Sequence, residues 1–436
     1  MKFYIYTLGC KVNSYESRVM ADLLCNEGFK ESDKDENVDI CIINTCSVTN
    51  VADQKSAKII RSAIRKNKDA IIVVTGCFAQ ADKENALKIE GVDIVLGNKN
   101  KTKIVEYLKK FQKKRRQIED VYDIKEVPFE SMRLNNFNKT RAFVKIQDGC
   151  NNFCSYCIIP YTRGGVRSKK RKDVLEEITH LVKKGHKEIV LTGIHTGNYG
   201  AEFEDYDFAS LLEDVLQISG LERLRISSIE MNEINDRVLA CMKKNPILVD
   251  HMHIPLQSGS NSVLKAMNRK YTKEEFIEKI EKIRKIRPDI SITTDVIVGF
   301  PGETEEDFRE MLQTIKEISF TKLHVFPFSR RKGTVADTLE NQVPDIVKKE
   351  RAHILLELSK QLEMNYMEKF IGKELTMLPE VYKDGYLIGH TGNYLLVKVK
   401  GTEKNLHFPL PIKITTNIYP YMEAVELPRN NTFSLV

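Results

Sequence analysis

Apolar strand-like runs alternate with amphipathic helical segments along most of this chain, and this alternation restricts the possible folds more than any other feature. The first three runs lie at residues 3–6, 39–43 and 70–74, and apolar positions at helical spacing follow the first two. Continuous apolar strands separated by amphipathic helices are typical of parallel sheets covered on both faces. A further run at 92–96 is predicted to complete the first sheet. The fold class is therefore α/β, with an open parallel sheet at the N-terminus.

The alternation continues beyond residue 140 through six more strand–helix units. Strands are predicted at 141–146, 187–191, 223–229, 251–256, 292–298 and 322–328. Six units, in place of the eight of a complete barrel, predict a partial (β/α)6 barrel. A long helical pattern from residue 345 is followed by short alternating runs punctuated by glycine. These runs predict a small all-β domain at the C-terminus.

These patterns divide the 436 residues into three domains, in line with roughly 100 to 200 residues per domain. The predicted boundaries are an N-terminal domain at 1–117, a linker at 118–140, a central domain at 141–368 and a C-terminal domain at 369–436. The linker contains Pro128 and an Asn-rich stretch, which are typical of irregular chain. No apolar run approaches the roughly 18 residues that span a bilayer, and no signal peptide is evident. We therefore expect a cytoplasmic protein without a membrane partner.

Three cysteines stand just past the C-terminal ends of the first three predicted strands. We name Cys10, Cys46 and Cys77 the sheet triad; they are 36 and 31 residues apart. In an open parallel sheet the C-terminal ends of the strands share one edge, where ligands bind. The sheet triad is therefore predicted to converge in space. The alternative is that these are three unrelated small residues in turns.

A second set of cysteines forms a C-x3-C-x2-C loop directly after the first strand of the central domain. We name Cys150, Cys154 and Cys157 the loop triad. In a reducing compartment such a cluster binds metal more often than it forms disulfides. Three thiolates this close can hold a four-iron cluster and leave one iron open. Zinc is the alternative, although the nearest downstream histidine, His180, lies 23 residues after Cys157. The remaining cysteines lie in apolar patterns and are expected to be buried structural residues: Cys25, Cys41 and Cys241.

The net charge of +7 is unevenly distributed along the chain. The segment 99–117 contains nine basic residues and a single acid, Glu106. A solvated helix or linker and a contact with a polyanion are both compatible with such a run. A second basic cluster contains no acid between its ends and favours a polyanionic partner. It consists of Arg163, Arg167, Lys169, Lys170, Arg171 and Lys172.

The motifs around the cysteines resemble those of radical S-adenosylmethionine enzymes and, among these, the methylthiotransferases. The resemblance rests on the loop triad with an aromatic residue before its last cysteine, and on Gly9-Cys10-Lys11-Val12-Asn13, Asn44-Thr45-Cys46 and Thr75-Gly76-Cys77. It covers essentially the whole chain. The opening motif and Ser227-Ser228-Ile229-Glu230 look most similar to the branch that modifies N6-threonylcarbamoyladenosine at position 37 of tRNA. The C-terminal domain, with His390-Thr391-Gly392-Asn393-Tyr394, resembles the RNA-binding TRAM domain.

The resemblance implies an enzyme that adds a methylthio group to carbon 2 of this adenosine. The loop triad would hold a four-iron cluster that generates a 5′-deoxyadenosyl radical from S-adenosylmethionine. The sheet triad would hold a second four-iron cluster, at which another S-adenosylmethionine methylates a sulfur atom. Two molecules of S-adenosylmethionine per turnover are thus implied. The implied partners are tRNA and an electron donor such as flavodoxin or ferredoxin.

Further residues receive roles from the same resemblance. Tyr156 is expected beside the adenine of S-adenosylmethionine. Many members of the superfamily hold the methionyl amine with a Gly-Gly-Glu motif, whereas this chain has Thr192-Gly193-Ile194. We expect the strand edge near Gly193 to take this role. Glu230 and Gln257 are expected to line the cofactor pocket, or alternatively to be polar groups that are satisfied within the barrel mouth.

Three questions remain open at this level. The second basic cluster either contacts RNA phosphate or forms only a solvated helix start. The substrate of a methylthiotransferase could instead be isopentenyladenosine-37 or an aspartate of a ribosomal protein. A hypothesis of another class is a non-catalytic iron–sulfur protein that binds RNA or senses redox state.

Overall fold

The computed structural model describes residues 1–33, 36–124, 127–135 and 140–428. Part of the predicted linker therefore lies outside the described residues, namely 125–126 and 136–139, which include Asn136 and Asn138 of the Asn-rich stretch. The last eight residues of the predicted C-terminal domain, 429–436, also lie outside them. No helix in the described part of the chain is long and apolar enough to cross a membrane.

A six-stranded parallel sheet forms the N-terminal region, in the order β2-β1-β3-β4-β5-β6. Helices α1 and α5 pack on one face of the sheet, and α2 and α3 pack on the other. Strands β3 and β4 are consequently buried along their whole length. The elements are β1 (Lys2–Thr7), α1 (Lys11–Asn26), β2 (Lys30–Glu31), β3 (Ile40–Thr45), α2 (Asn50–Lys66), β4 (Ile71–Gly76), α3 (Cys77–Ala81), α4 (Lys83–Leu87), β5 (Ile94–Leu96), α5 (Ile104–Lys114) and β6 (Ile118–Asp120).

The open parallel sheet is confirmed, with two strands that the sequence pattern did not predict. Both β2 and β6 are edge strands of two or three residues, too short to show a periodic pattern. Strand β6 is formed by the first three residues of the predicted linker, so the sheet extends past residue 117. Four of the nine basic residues of the segment that precedes it are exposed on α5, namely Lys109, Lys110, Lys113 and Lys114, whereas Lys101 is buried.

Six parallel strands form the predicted partial barrel of the central region. They are arranged as two three-stranded sheets, β11-β10-β7 and β12-β13-β14, which meet where Leu224 pairs with Leu248. The elements are β7 (Arg141–Lys145), β8 (Gln147–Asp148), α6 (Ile159–Arg163), β9 (Arg167–Ser168), α7 (Arg171–Lys183), β10 (Glu188–Thr192), α8 (Phe208–Val215), β11 (Arg223–Ile226), α9 (Asp236–Lys244), β12 (His251–His253), α10 (Asn261–Ala266), α11 (Lys273–Ile286), β13 (Ser291–Val298), α12 (Glu305–Ile318), β14 (Lys322–Pro327) and α13 (Asp345–Glu368).

Side chains alternate between two environments along the barrel strands, because successive residues of a strand point to opposite faces. Apolar residues such as Ile189, Met252 and Ile292 point outward and are buried against the helices. The residues between them point inward and are mostly polar. They include Glu188, Arg225, His251, His253, Asp295 and His324. We name the space that these inward side chains surround the lumen.

The C-terminal region is a closed five-stranded barrel, in the order β15-β16-β17-β19-β18. It closes the N-terminal end of the central barrel with Tyr394, whose ring stacks between those of His251 and His390 at 4.6 Å from each. Arg223 also donates a hydrogen bond to the carbonyl oxygen of Thr376. The strands are β15 (Glu374–Lys383), β16 (Tyr386–Thr391), β17 (Leu396–Lys400), β18 (Leu410–Ile418) and β19 (Tyr421–Glu426).

Two of the three cysteines expected to be structural are buried, namely Cys41 and Cys241. The prediction is wrong for Cys25, which is exposed in the last turn of α1. Its neighbour Leu24 takes the buried position in that turn. Successive residues of an α-helix are rotated by about 100°, so the two side chains cannot both face the sheet.

Candidate active site

The sheet triad lies at the C-terminal edge of the N-terminal sheet. Cys10 caps the N-terminus of α1, Cys46 follows β3 directly, and Cys77 is the first residue of α3. Gly76 makes the turn into α3 possible, because its φ of +98° is unfavourable for other residues. A Cβ atom at this position would also lie 2.5 Å from the carbonyl oxygen of Thr45.

The three thiols of the sheet triad are close enough to act on one another electrostatically. Burial, and then the neighbouring Cys77 and Cys10, raise the pKa of Cys46 to about 11. Crowding by protein atoms also raises the pKa of Cys10, and the nearby Arg163 opposes this shift. Cys46 and Cys77 are buried, whereas Cys10 remains exposed. The predicted convergence of these residues is therefore present in the structure.

The loop triad lies at the C-terminal end of the first barrel strand. Gly149, with a φ of +75°, lets the loop pass another chain segment, since a Cβ atom there would lie 1.9 Å from the carbonyl oxygen of Gly165. The amide of Gln147 holds the start of the loop by donating to the carbonyl oxygens of Asp148 and Gly149, at 2.9 and 2.7 Å. Burial, together with the charges of Cys154 and Cys150, raises the pKa of Cys157 to about 12.

The spacing of the thiols fits an iron–sulfur cluster better than a zinc ion. Among the described residues, neither triad has all three sulfur atoms within 4.8 Å of one another. Thiolates bound to one tetrahedral zinc at about 2.3 Å lie closer together than this limit. The raised pKa values of Cys10, Cys46 and Cys157 keep these thiols protonated until a cation binds them as thiolates, and iron–sulfur clusters are held by cysteine thiolates. The donor sets of both triads therefore fit four-iron clusters.

A buried ionic cluster joins the N-terminal sheet to the barrel between the two triads. Glu16 of α1 accepts hydrogen bonds from Lys145 at 2.7 Å and Arg163 at 2.8 Å, and it forms a third ion pair with Lys101. These cations hold the pKa of Glu16 well below its usual value, although burial opposes the shift. Asp148 adds a second carboxylate, 2.6 Å from Lys145 and 3.2 Å from Arg163.

Arg163 also reaches the sheet triad itself. Its guanidinium donates to Asn13 Oδ1 at 2.6 Å, and its charge acts on both Cys10 and Cys77. Next to it, Asn98 donates to Cys77 Sγ at 3.5 Å and to the carbonyl oxygen of Thr162 at 2.9 Å. Thr162 and Arg163 end α6, which begins two residues after Cys157. The five-residue helix α6, about 7.5 Å long, thus runs from the loop triad to residues that contact the surroundings of the sheet triad.

Comparison with known proteins relates the two halves of this site to two protein families. Residues 144–315 match the Radical SAM superfamily, and residues 2–97 match the family described as Uncharacterized protein family UPF0004. The chain is also 45% identical, over 427 residues, to the threonylcarbamoyladenosine tRNA methylthiotransferase MtaB of Bacillus subtilis. This match covers 96% of the chain and 95% of the relative.

The chain belongs to the methylthiotransferase family of radical S-adenosylmethionine enzymes. The family resemblance expected from the motifs is thereby confirmed, and with it the use of S-adenosylmethionine and a four-iron cluster. A protein of Clostridium tetani named tRNA-2-methylthio-N(6)-dimethylallyladenosine synthase is 37% identical over 436 residues, covering 98% of this chain and 96% of the relative. The family thus includes relatives named for different modified adenosines.

The fold of this methylthiotransferase is similar to that of a solved methyltransferase. The radical S-adenosylmethionine methyltransferase TsrM from Kitasatospora setae superimposes with a TM-score of 0.57 at 14% identity. The match covers 77% of this chain and 76% of that protein. At this identity the similarity supports the α/β fold and carries no information about substrate.

Two of the residues predicted to bind the cofactor lie beside the loop triad. The ring of Tyr156 is near Cys154, Cys157 and Glu230, and burial raises its pKa well above the usual value. Glu230 forms an ion pair with Arg269, whose guanidinium also donates to Cys154 Sγ at 3.4 Å. Cys154, Glu230 and Arg269 line a small cavity of about 70 Å³, and Tyr156 is not part of its lining. The roles assigned to Tyr156 and Glu230 stay predictions, but their placement agrees with them.

The other two predicted cofactor residues lie on neighbouring parts of the barrel edge. Gly193 follows β10, and a Cβ atom there would lie 2.9 Å from Gln147 Oε1, so the position requires a small residue. Gln257 has a φ of +65° and extends the barrel by pairing with Val296. Their contact with S-adenosylmethionine also stays a prediction.

Two members of the second basic cluster cannot contact RNA phosphate. Arg163 is 0% exposed in the ionic cluster, and Lys169 is 2% exposed, where it pairs with Glu177. The expectation is therefore wrong for both residues, because each charge is already neutralised away from solvent. Arg167 is half-buried and lies 3.5 Å from Asp148. Lys170, Arg171 and Lys172 are exposed at the start of α7, where RNA contact stays a prediction.

The sequence patterns missed several polar residues that contact the thiols of this methylthiotransferase. His195 lies 3.7 Å from Cys150 Sγ and pairs with Glu233. Although burial opposes it, these two contacts raise the pKa of His195 to about 10. Asn98 and Arg269 are the other two, and all three lie far from the cysteines in sequence. For His195 and Asn98, their position shortly after a strand was the only available signal.

Proposed function

We propose that this chain is a tRNA methylthiotransferase that adds a methylthio group to carbon 2 of N6-threonylcarbamoyladenosine at position 37. The observation that carries the proposal is the pair of thiol triads, placed in different domains, with the short helix α6 running from the loop triad to residues beside the sheet triad. A transfer of this kind requires a sulfur source and a radical source to reach one base carbon. The Bacillus subtilis relative named for this nucleoside, matched over nearly its whole length, supports the choice of substrate.

In this proposal the loop triad holds one four-iron cluster and the sheet triad holds a second. When bound, the cluster at the loop triad supplies the electron that cleaves S-adenosylmethionine to methionine and a 5′-deoxyadenosyl radical. The chain itself binds and orients the reactants and excludes water from the site. Arg269 donates a hydrogen bond to Cys154 Sγ and Asn98 donates one to Cys77 Sγ, and these contacts orient the two sulfur atoms.

The ionic cluster around Glu16 holds the two domains in one orientation in this proposal. It buries three cations of the N-terminal sheet and the barrel against Glu16, and Asp148 adds a second carboxylate for two of them. Breaking such a cluster leaves unpaired charge in the interior, which is strongly unfavourable. The distance between the two triads is thus held constant during the transfer, and small misplacements of reacting atoms cost rate.

The proposed function also implies the partners of the enzyme. A tRNA with a splayed-out adenosine-37 is the expected substrate, because enzymes that act on a base take it out of the stack. Two molecules of S-adenosylmethionine are consumed per turnover, and a donor such as flavodoxin or ferredoxin supplies the electron. All of these partners are in the cytoplasm.

The test is nucleoside mass spectrometry after reaction of the anaerobically reconstituted protein with S-adenosylmethionine and a reductant. Anticodon stem-loops carrying threonylcarbamoyladenosine or dimethylallyladenosine at position 37 serve as substrates. We expect 2-methylthio product on the first RNA and at least tenfold less on the second. Equal or greater product on the dimethylallyl RNA would overturn the choice of nucleoside. Absence of 5′-deoxyadenosine in every reaction would instead favour a non-catalytic iron–sulfur protein.

A further inference from the structure

Three neighbouring strands of the central barrel place two histidines and an aspartate side by side in the lumen. The strands β12, β13 and β14 are adjacent and parallel. In their register His253 lies opposite Thr293, and Asp295 lies directly opposite His324. Alternate residues of a strand share one face, so Thr293 and Asp295 turn to the same side. We name His253, Asp295 and His324 the His–Asp cluster.

The donor atoms of the His–Asp cluster are as close as the ligands of a metal ion. His253 Nε2 lies 3.3 Å from Asp295 Oδ2. Two ligands of one tetrahedral zinc ion, each about 2.0–2.1 Å from it, are about 3.3 Å apart. One ring nitrogen of His324 completes a set in which all three ligand atoms lie within 4.8 Å of one another. His324 is exposed on the edge strand β14, so a rotation of its side chain can close the remaining gap.

A hydroxyl group behind His253 supports its role as a ligand. His253 Nδ1 lies 2.9 Å from Thr293 Oγ1. When the Nδ1–H group donates to this hydroxyl, Nε2 carries a lone pair and faces the Asp295 carboxylate. Two electron-rich atoms in this position attract a cation between them. Metal-binding histidines almost always donate their second ring N–H to a partner of this kind.

The rest of the protein leaves the His–Asp cluster free to bind. Apart from its contact with His253, the Asp295 carboxylate has no hydrogen-bond or ion-pair partner among the described residues. The His324 side chain makes no hydrogen bond or ion pair in the same part of the chain, and its ring lies 5.5 Å from that of His253. The backbone of Asp295 is fixed, since its carbonyl oxygen accepts from the Gln257 amide at 2.8 Å.

We infer that His253, Asp295 and His324 bind one divalent transition-metal ion of the zinc type, separate from the iron–sulfur clusters. Imidazole nitrogen together with a carboxylate oxygen suits zinc, whereas magnesium and calcium prefer oxygen ligands alone. Three protein ligands leave a further coordination position open. An oxygen atom of a molecule bound in the lumen can take this position. The inference goes beyond the proposed function and does not rest on it, because it uses no cysteine and no property of the nucleoside.

The experiment measures zinc binding to the complete enzyme. The protein, with both clusters reconstituted anaerobically, is equilibrated at free Zn²⁺ concentrations set by a chelator, and zinc and iron are counted per chain. X-ray absorption at the zinc edge identifies the ligand atoms. The variants are His324→Ala, Asp295→Asn and Thr293→Val. His353→Ala is the matched control, because His353 is an exposed histidine on α13.

We expect one zinc ion per chain in the wild type, with nitrogen and oxygen ligands at about 2.0–2.1 Å. His324→Ala and Asp295→Asn should each weaken zinc binding by more than about hundredfold. Thr293→Val should weaken it by about tenfold to hundredfold, the range typical for a partner that orients a ligand. His353→Ala should remain within about twofold of the wild type, and iron content should be equal in all five proteins.

Three results would overturn the inference. Absence of zinc from the wild type would show that His253 and Asp295 form only an ion pair. Sulfur ligands at about 2.3 Å would place the zinc in a cysteine triad. Equal affinity in the wild type and in His324→Ala would exclude this set of ligands, and the exposure of His324 makes that variant unlikely to misfold. The proposed function stands in all three cases, since none of them concerns 2-methylthio product.

Discussion

The two cysteine triads each bring three thiols together, but the residues of one are close in sequence and those of the other are distant in sequence. The loop triad comes from eight consecutive residues, and its geometry depends on one turn after β7. The sheet triad comes from three loops that span 68 residues, and its geometry depends on the order of strands in the sheet. A local motif is therefore sufficient to recognise the first site, whereas the second exists only after the sheet has formed.

The triads also differ in how they are attached to the rest of the molecule. The loop triad is held within the barrel, for example by Ser155, whose hydroxyl donates to the carbonyl oxygen of Ala266 at 2.8 Å. The sheet triad is bordered by Arg163 and Arg331, which both come from the central region. Changes at the domain contact should thus affect the transfer of the methylthio group while sparing radical formation.

The largest expected effect separates the two triads directly. Alanine at Cys150, Cys154 or Cys157 should abolish reductive cleavage of S-adenosylmethionine, because the radical source is lost. Alanine at Cys10, Cys46 or Cys77 should abolish only the formation of 2-methylthio product. It should also lower the amount of bound iron by about half. Formation of 5′-deoxyadenosine, 2-methylthio product and iron content measure these effects. Cys25→Ala is the control, and loss of cluster absorbance in that variant would show that the assignment of the cysteines is wrong.

The second effect concerns the ionic cluster. Glu16→Gln leaves Lys101, Lys145 and Arg163 without their shared carboxylate. Removal of one member of a buried ion pair costs about 3–5 kcal/mol, so the melting temperature should fall and 2-methylthio product should be lost.

Glu27→Gln is the matched control for this change, because Glu27 pairs with Lys109 on the surface close to the same helix. Its melting temperature should remain within about 1 °C of the wild type, since exposed ion pairs contribute little. If Glu16→Gln behaved like the control, the ionic cluster would have no role in joining the domains.

A smaller effect is expected at the second contact between the domains. Arg331 donates to Ser47 Oγ at 2.8 Å and to Asn50 Oδ1 at 3.0 Å, and it pairs with Asp53. Arg331→Gln should lower the rate of methylthio transfer by about tenfold to hundredfold through misplacement of the sheet triad. Cleavage of S-adenosylmethionine should continue at the rate of the wild type.

The neighbouring Arg330 offers a control of the same residue type. It is exposed and pairs with Asp337 within its own loop. Arg330→Gln should leave both reactions within twofold of the wild type. Equal losses in the two arginine variants would point to a general disturbance of the loop and against a specific role of Arg331.

The smallest expected effect concerns His251, which lies at the N-terminal end of the barrel, away from both triads. Burial lowers the pKa of His251 well below its usual value, and the charges of Arg225, His253, Lys11 and Arg141 lower it further. The unfolded chain therefore binds a proton below about pH 6.5 that the folded protein does not bind. Stability should fall with decreasing pH in that range, by up to about 1.4 kcal/mol per pH unit.

The change His251→Gln tests this prediction, because glutamine does not titrate. Melting temperatures from pH 7.5 to 5.5 should fall more steeply in the wild type than in the variant. Iron content at pH 7.5 should be equal in the two proteins, since neither triad contacts His251. Parallel curves would show that another group causes the acid sensitivity.

The sequence by itself determined the α/β class, the partial barrel, the closed β-domain and the two sets of cysteines. Strand and helix periodicity are local properties, and parallel strands necessarily bring their C-terminal ends to one edge. This rule was enough to predict that Cys10, Cys46 and Cys77 converge. It was not enough for Cys25, because an apolar neighbourhood does not specify which side of a helix faces the sheet.

Only the tertiary structure decided which charges are free. Arg163 and Lys169 lie in a basic run that suggests RNA contact, but both are buried, Arg163 against Glu16, which is 147 residues away, and Lys169 against Glu177, which is eight residues away. Lys11 is the opposite case. It is exposed and has no hydrogen-bond or ion-pair partner among the described residues, and nothing in its sequence predicts this. Whether a charge is neutralised depends on partners from other elements, and Coulomb interactions between such partners depend on distance in space. The arrangement of charges in the lumen and between the domains is therefore a property of the folded chain.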